Sequence, residues 1–331
     1  MRIRILGAGW YGCHLAAALK SVGHDPHVFD IAPRAFNGAS GSIPARLHEG
    51  FHYPRSWSTR DACQKHRIPF LAKYGHLTAG PPVNLYAVAA VDSLLDFRSY
   101  LRVISEQCEF AVADDLAALG LDHCEGAVFT RERHIVSDRA RAHFEAVLGD
   151  RLHLRCAPGE TPGGEGFDLS IDCTFCANDS ANVDRYEPCL TVLLRGPVQR
   201  AVTVMDGPFP SLYPWDEERG LCSLTSARFT PLARCRTYAD AREVIEMTDP
   251  ERLKTDAERM IDQMAYFYPA VGAFEIHELR TSIRAMPKSG SDARLVDVIE
   301  VGPRALRVRA GKIDAVFDAE RAVFAYIGAH A

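Results

Sequence analysis

The chain has 331 residues, room for one large domain or two closely joined ones, and its 47% hydrophobic and 24% charged residues are ordinary for a globular protein. A formal net charge of −5 argues against the basic face that nucleic-acid phosphates demand, and no apolar run approaches the ~20 residues that span a bilayer. The first strand starts at Ile3, leaving no room for a leader, so the expected setting is the cytoplasm, with a small molecule rather than nucleic acid or membrane as partner.

The first element carries the most specific signal. Ile3-Arg4-Ile5-Leu6 runs into Gly7-Ala8-Gly9-Trp10-Tyr11-Gly12, then a helical pattern (Leu15, Ala16, Leu19, Val22), Gly23, and a second strand ending in Phe29-Asp30. That is the strand–turn–helix–strand context of a dinucleotide fingerprint. Gly7 permits the tight turn, and Gly9 lets the backbone approach a pyrophosphate. Gly12 and Ala16, four apart, let the helix lie close to the sheet. The N–H groups at the helix start, around Trp10 and Tyr11, turn toward phosphate charge. Asp30 is placed to accept from both ribose hydroxyls and to repel a 2′-phosphate.

A loop rich in Gly, Ser and His follows over 37–58, then a helical stretch over 59–74 and a boundary at Gly80-Pro81-Pro82. Strand character returns at 85–91, and 92–106 reads as an amphipathic helix. A short strand is expected at 125–130, a helix at 137–148 with Ser137 as N-cap, and a strand at 152–155. Residues 157–166 read as a surface turn cluster and 167–174 as a buried parallel-type strand. After Cys189 the period changes, and 190–195, 201–205 and 221–227 suggest an antiparallel meander. Helices near 239–247 and 250–267, a strand at 306–308 and a terminal helix from Ile313 complete the chain. The ten cysteines are scattered. The one close pair, Cys173 and Cys176, lacks a second pair at ligand spacing, so no metal site is expected.

Three further segments resemble the FAD-dependent oxidoreductases of the D-amino-acid oxidase-like superfamily, which have a glutathione-reductase-type flavin domain. They are Ala39-Ser40-Gly41-Ser42 with the stretch RLHEGFHYPRS at 46–56, the strand at 167–174 ending in Thr174, and Arg309-Ala310-Gly311-Lys312-Ile313-Asp314. The resemblance covers nearly the whole chain in order. It implies an α/β fold, a Rossmann-like FAD-binding domain with an inserted antiparallel-sheet substrate domain. The FAD-binding domain is expected at 1–80, 127–186 and 286–331, and the substrate or cap domain at 81–126 and 187–285. It implies FAD as cofactor, with Ser40, Arg46 and Thr174 beside it and the Gly311-Lys312-Ile313 turn aimed at the flavin pyrimidine edge, where a helix N-terminus stabilises negative charge. The terminal motif departs from the better-known amino-acid oxidases, so their substrate-binding Arg and Tyr do not transfer.

The loop at 46–55 concentrates Arg46, His48, His52, Tyr53 and Arg55. Such residues often do no more than satisfy a structured loop. Gly50 and Pro54 argue against the helix that two chelating histidines would need. On the functional reading the loop lines the flavin ring, with Arg46 or Arg55 meeting anions and His48 or His52 taking a proton. Tyr213, Trp215 and Arg284 are candidate substrate contacts. The expected reaction is hydride removal from a C–N bond of a small amine or amino-acid-like substrate, with the electron acceptor left open. The rivals are an NAD-dependent dehydrogenase, a non-redox flavoenzyme of sugar-mutase type, and a flavin-binding regulatory protein.

Overall fold

The computed structural model describes residues 1–156, 166–177, 183–197, 200–287 and 296–330. Contacts divide the chain into two units, one of Met1–Gly41, Ser137–Arg185 and Ala285–Ala331, the other of Ser42–Val136 and Tyr186–Arg284.

The first unit holds a six-stranded sheet in the order Asp297–Gly302, Ala305–Arg309, Leu169–Asp172, Arg2–Leu6, Asp25–Asp30, Leu152–Leu154. Arg2–Leu6 lies at its centre and pairs in parallel with both neighbours, Ile3 opposite Leu169 on one side and Pro26 on the other. Only the Asp297–Gly302 edge runs antiparallel. Ile3 and Ile5 are fully buried, and the helix Trp10–Ser21 returns Leu15, Ala16 and Leu19 to the same core. Helices Ser137–Leu148 and Val316–His330 pack against that first helix. This is the Rossmann-like domain expected of the fingerprint.

The second unit is built on an eight-stranded sheet. Its order is Glu275–Pro287, Val183–Arg195, Leu221–Ser226, Pro210–Asp216, Arg200–Met205, Val83–Ala89, Cys124–Phe129, Ala111–Val112. Strand alternation gives its faces opposite characters. Leu85, Ala87, Ala89, Val202, Val204 and Leu212 join one apolar core with Met260, Met264 and Phe267 from the helix Pro250–Phe267. Burial of each of those large side chains contributes about 1.5–3 kcal/mol. Tyr86, Val88 and Met205 belong to a separate core with Phe51, Tyr100 and Ile104. Asn84, Thr203 and Tyr213 alternate with residues of the first core and are themselves buried. A small antiparallel sheet joins Arg46–Leu47, Arg133–Ile135 and Thr78–Ala79.

Several expectations are corrected. The strands after Cys189 are not a simple meander, since Val183–Arg195 pairs with Leu221–Ser226 while Arg200–Met205 pairs in parallel with Val83–Ala89. Residues 210–216 form a central strand, with Pro210 at its first position and Pro214 beside a register shift. The amphipathic helix at 92–106 shrinks to Phe97–Ile104, because Asp96 accepts the Ser99 N–H at 2.9 Å and caps it. The terminal helix opens with a tighter turn at Ile313–Ala315 before Val316. The strands Asp297–Gly302 and Glu275–Pro287 were not anticipated. Contacts group segments 42–80 and 127–136 with the second unit, and their short strands pair with one another in the small sheet. Residues 157–165 of the turn cluster lie outside the described residues.

Candidate functional site

In the first unit, backbone shape does most of the work. Gly7 has φ +99°, and a Cβ there would lie 2.7 Å from the Cys173 carbonyl oxygen; at Gly12 it would lie 2.0 Å from the Gly7 oxygen. Neither position admits a side chain. Gly9 is the N-cap of the first helix and brings no side chain to its start, and the first turn holds no acidic residue. Ser40 Oγ accepts the Trp10 N–H at 3.0 Å, which ties the following loop to the helix start. A further glycine shares this logic and was not singled out from the sequence, since a Cβ on Gly41 would lie 1.9 Å from the Phe36 oxygen.

Asp30 stands at the end of the second strand as expected. Its two carboxylate oxygens accept the Ala8 N–H at 2.7 Å and the Ala32 N–H at 2.8 Å. Those bonds fix the carboxylate beside the glycine turn, and each oxygen keeps a further lone pair for a ribose hydroxyl. The side chains of Trp10 and Tyr11 are buried in the unit instead of turning toward a ligand. Trp10 packs on Phe36 and Phe144 at 5.5 and 5.3 Å between ring centroids. Tyr11 donates its hydroxyl to the Lys312 carbonyl at 2.5 Å, pinning the Gly311-Lys312-Ile313 turn to the first helix. Burial, reinforced by the Asp314 charge, holds the Tyr11 pKa well above its ordinary range, so the phenol stays a donor. The Lys312 side chain is buried and Asp314 is wholly so. Thr174 donates both its N–H and its hydroxyl to Asp172 Oδ1, at 2.9 and 2.6 Å, while Arg307 donates to Asp172 Oδ2 at 3.1 Å. Glycines that a Cβ would fill, a helix start without acidic residues in its first turn and a fixed carboxylate suit an adenine dinucleotide.

In the second unit, polar side chains are buried together. Glu132 is fully buried and central. Its Oε1 accepts the Glu49 N–H at 2.7 Å, and its Oε2 accepts the Tyr86 hydroxyl at 2.6 Å. His48 Nδ1 lies 3.4 Å from both Glu132 Oε2 and the Tyr86 oxygen. His48 and His52 stack with centroids 5.1 Å apart, and Tyr53 meets each edge-on at 5.4 and 5.3 Å. Asn84 Nδ2 donates to the Tyr213 hydroxyl at 2.8 Å, and that hydroxyl donates to the Glu132 carbonyl at 3.2 Å. Arg46 lies over the Tyr213 ring at 4.5 Å and donates to Thr203 Oγ1 at 3.0 Å. Burial, then the Glu132 charge, pushes the Tyr86 and Tyr213 pKa values up, and burial raises that of Glu49 against the pull of Arg67.

Contacts thus join Arg46, His48, His52, Tyr53 and Tyr213. The other three candidates have different partners. Arg55, half-exposed, donates to Asp206 at 2.7 Å. Trp215 lies under Arg280 at 5.1 Å in a small cluster with Leu193 and Leu221. Arg284 donates Nε and an Nη to buried Glu187, at 3.1 and 2.5 Å. Glu132 and Tyr86 were missed. Glu132 sits in Thr130-Arg131-Glu132-Arg133-His134, which reads as a solvated charge run. The available signal was Asn84 and Tyr86, two apart on one face of an otherwise apolar strand.

No protein-family model matches the chain. It is 31% identical over 334 residues to the FAD-dependent monooxygenase FPY4 of Fusarium mangiferae, spanning 98% of this chain and 90% of that relative. The chain belongs to the same family of FAD-dependent oxidoreductases. A second relative of this flavoenzyme, the FAD-dependent monooxygenase kojA of Aspergillus flavus, is 28% identical over 338 residues, 89% of this chain and 78% of its own. Among solved structures, glycine oxidase from Geobacillus kaustophilus matches with a TM-score of 0.69 at 13% identity, over 97% of this chain and 92% of its own. That likeness shows that the flavoenzyme shares the fold of glycine oxidase. FAD is its cofactor, as the resemblance implies. No helix among the described residues is long and apolar enough to cross a membrane.

Proposed function

We propose that this flavoenzyme oxidises a C–N bond of a small amine or amino-acid-like substrate. The observation that carries the reading is the company of His48 and His52, two stacked imidazoles in one polar cluster with the buried guanidinium Arg46. An imidazole takes up a proton near neutral pH, and a guanidinium holds a carboxylate with a planar fork. Those are the two needs of an amino acid about to be oxidised. The substrate arrives as an ammonium ion and gives one proton to the imidazole. The adjacent C–H bond then breaks as a hydride while the nitrogen lone pair forms C=N, leaving an iminium product. FAD, when bound, supplies the two-electron acceptor for that hydride. The first unit holds FAD through Gly7, Gly9, Gly12, Asp30, Ser40 and the 311–313 turn, and Tyr11 keeps that turn in place. Tyr86 and Tyr213, kept neutral, orient without competing as bases. The fold shared with glycine oxidase supports the reading.

Insertion of one oxygen atom into the substrate is the second reading, favoured by the name that both fungal relatives carry. Mixing the holoprotein anaerobically with a panel of amines and amino acids separates the two. Under the first reading one class bleaches the visible flavin absorbance by itself and an imine or its carbonyl hydrolysis product appears. Bleaching by reduced nicotinamide alone, with a hydroxylated product once oxygen is admitted, overturns it in favour of the second.

A further inference from the structure

The geometry points to Glu132 as a positioning residue that fixes the tautomer of His48 and so makes its Nε2 the basic atom of the polar core. The argument is one of donors and acceptors. Tyr86 commits its proton to Glu132 Oε2 in a 2.6 Å bond, and its own burial keeps the phenol protonated. His48 Nδ1 therefore lies 3.4 Å from two atoms that can only accept there, the Tyr86 oxygen and Glu132 Oε2. An Nδ1 without a proton would set a lone pair against two others in a buried setting. Nδ1 carries the proton, and in the neutral ring the basic lone pair falls to Nε2.

Glu132 is itself held. Its Oε1 takes the Glu49 N–H at 2.7 Å, Asn84 Nδ2 and the Tyr213 hydroxyl donate to its backbone carbonyl at 3.2 Å each, and the whole side chain is buried. A carboxylate fixed behind one imidazole nitrogen orients the ring and stabilises the imidazolium formed when the other nitrogen takes a proton. Among the described contacts, His52 stacks on the ring and Tyr53 meets it edge-on, while Arg46 acts on the Tyr86 hydroxyl from across the cluster. The inference deepens the C–N reading and rests on it only for what the proton is used for.

The test is the nitrogen spectrum of holoprotein carrying 15N-labelled histidine, with His48→Gln used to assign the His48 signals. Wild type is expected to show the Nδ1–H tautomer at His48. Glu132→Gln, whose amide can donate to Nδ1, is expected to lose that preference. It should also slow amine-driven flavin bleaching about tenfold to a hundredfold, with the acid limb of the rate profile moved to lower pH. A merely structural role would leave both the tautomer and that limb in place. Should Glu132→Gln fail to fold, Tyr86→Phe serves, since it removes one acceptor and keeps the carboxylate; it should retain the Nδ1–H tautomer. An Nε2–H tautomer in wild type, or an unchanged spectrum in Glu132→Gln, overturns the inference. If no amine bleaches the flavin while His48 shows Nδ1–H, the C–N reading falls and the positioning role stands.

Discussion

The two units solve different problems with different parts of the chain. The first shapes a nucleotide site from backbone, with glycines where a Cβ would strike a carbonyl oxygen, a helix start capped by glycine, and one carboxylate locked by two backbone N–H groups. The second buries ionisable side chains on one face of a sheet whose opposite face is apolar, and satisfies them by one another. A backbone site tolerates any side chain that stays out of the way. A buried polar network tolerates few, because its members stand in for water to one another.

The largest effect should come from breaking that network. Glu132→Ala strips Tyr86 and the Glu49 N–H of their acceptor, and the protein should lose about 3–5 kcal/mol, read as a lower midpoint in urea unfolding. A change under about 1 kcal/mol would mean the cluster is wet and the comparison false. Next comes Gly12→Ala. A better helix former is installed where its Cβ lies 2.0 Å from the Gly7 oxygen, and the overpacking cost of about 3 kcal/mol should appear as FAD affinity about a hundredfold weaker. Titration of apoprotein with FAD measures it.

Arg284 sharpens the contrast inside the second unit. Arg284→Ala removes the guanidinium that donates twice to buried Glu187, so a loss of about 2–3 kcal/mol in stability is expected with little change in flavin content. If KM for substrate rises instead and stability holds, Arg284 belongs with the substrate contacts. The smallest effect concerns pH. Burial raises the Glu49 pKa, so between its unfolded and folded values the native state holds a proton that the unfolded chain releases, and stability falls as pH rises through that window just above the ordinary carboxylate range. Glu49→Gln should flatten this part of a melting-temperature profile by less than about 1 kcal/mol, since the 2.7 Å pair with Arg67 opposes the burial effect.

The same contrast explains what could be read from residues alone. The glycine turn, its helix and Asp30 lie within thirty positions of one another, so local spacing carries the site. Glu132 acts on Tyr86, 46 positions away, and on the Glu49 N–H, 83 away. Arg46 meets Thr203 across 157. Only the strand pairing brings those groups together, and the pairing itself departed from the period expected after Cys189. His48 and His52 were visible as a pair, but the carboxylate beside His48 sits in what reads as a solvated charge run. Trp10 and Tyr11 lay inside the fingerprint, yet their side chains support the first helix from within while only their backbone belongs to the turn.

The most direct test of the account is the anaerobic bleaching rate of the flavin with an amine and with the same amine deuterated at the carbon bearing nitrogen. The account predicts that the amine alone bleaches the flavin, that deuterium slows the step severalfold, and that His48→Gln keeps its full flavin content while bleaching about a hundredfold more slowly. A flavin that no amine bleaches and that reduced nicotinamide does would contradict it.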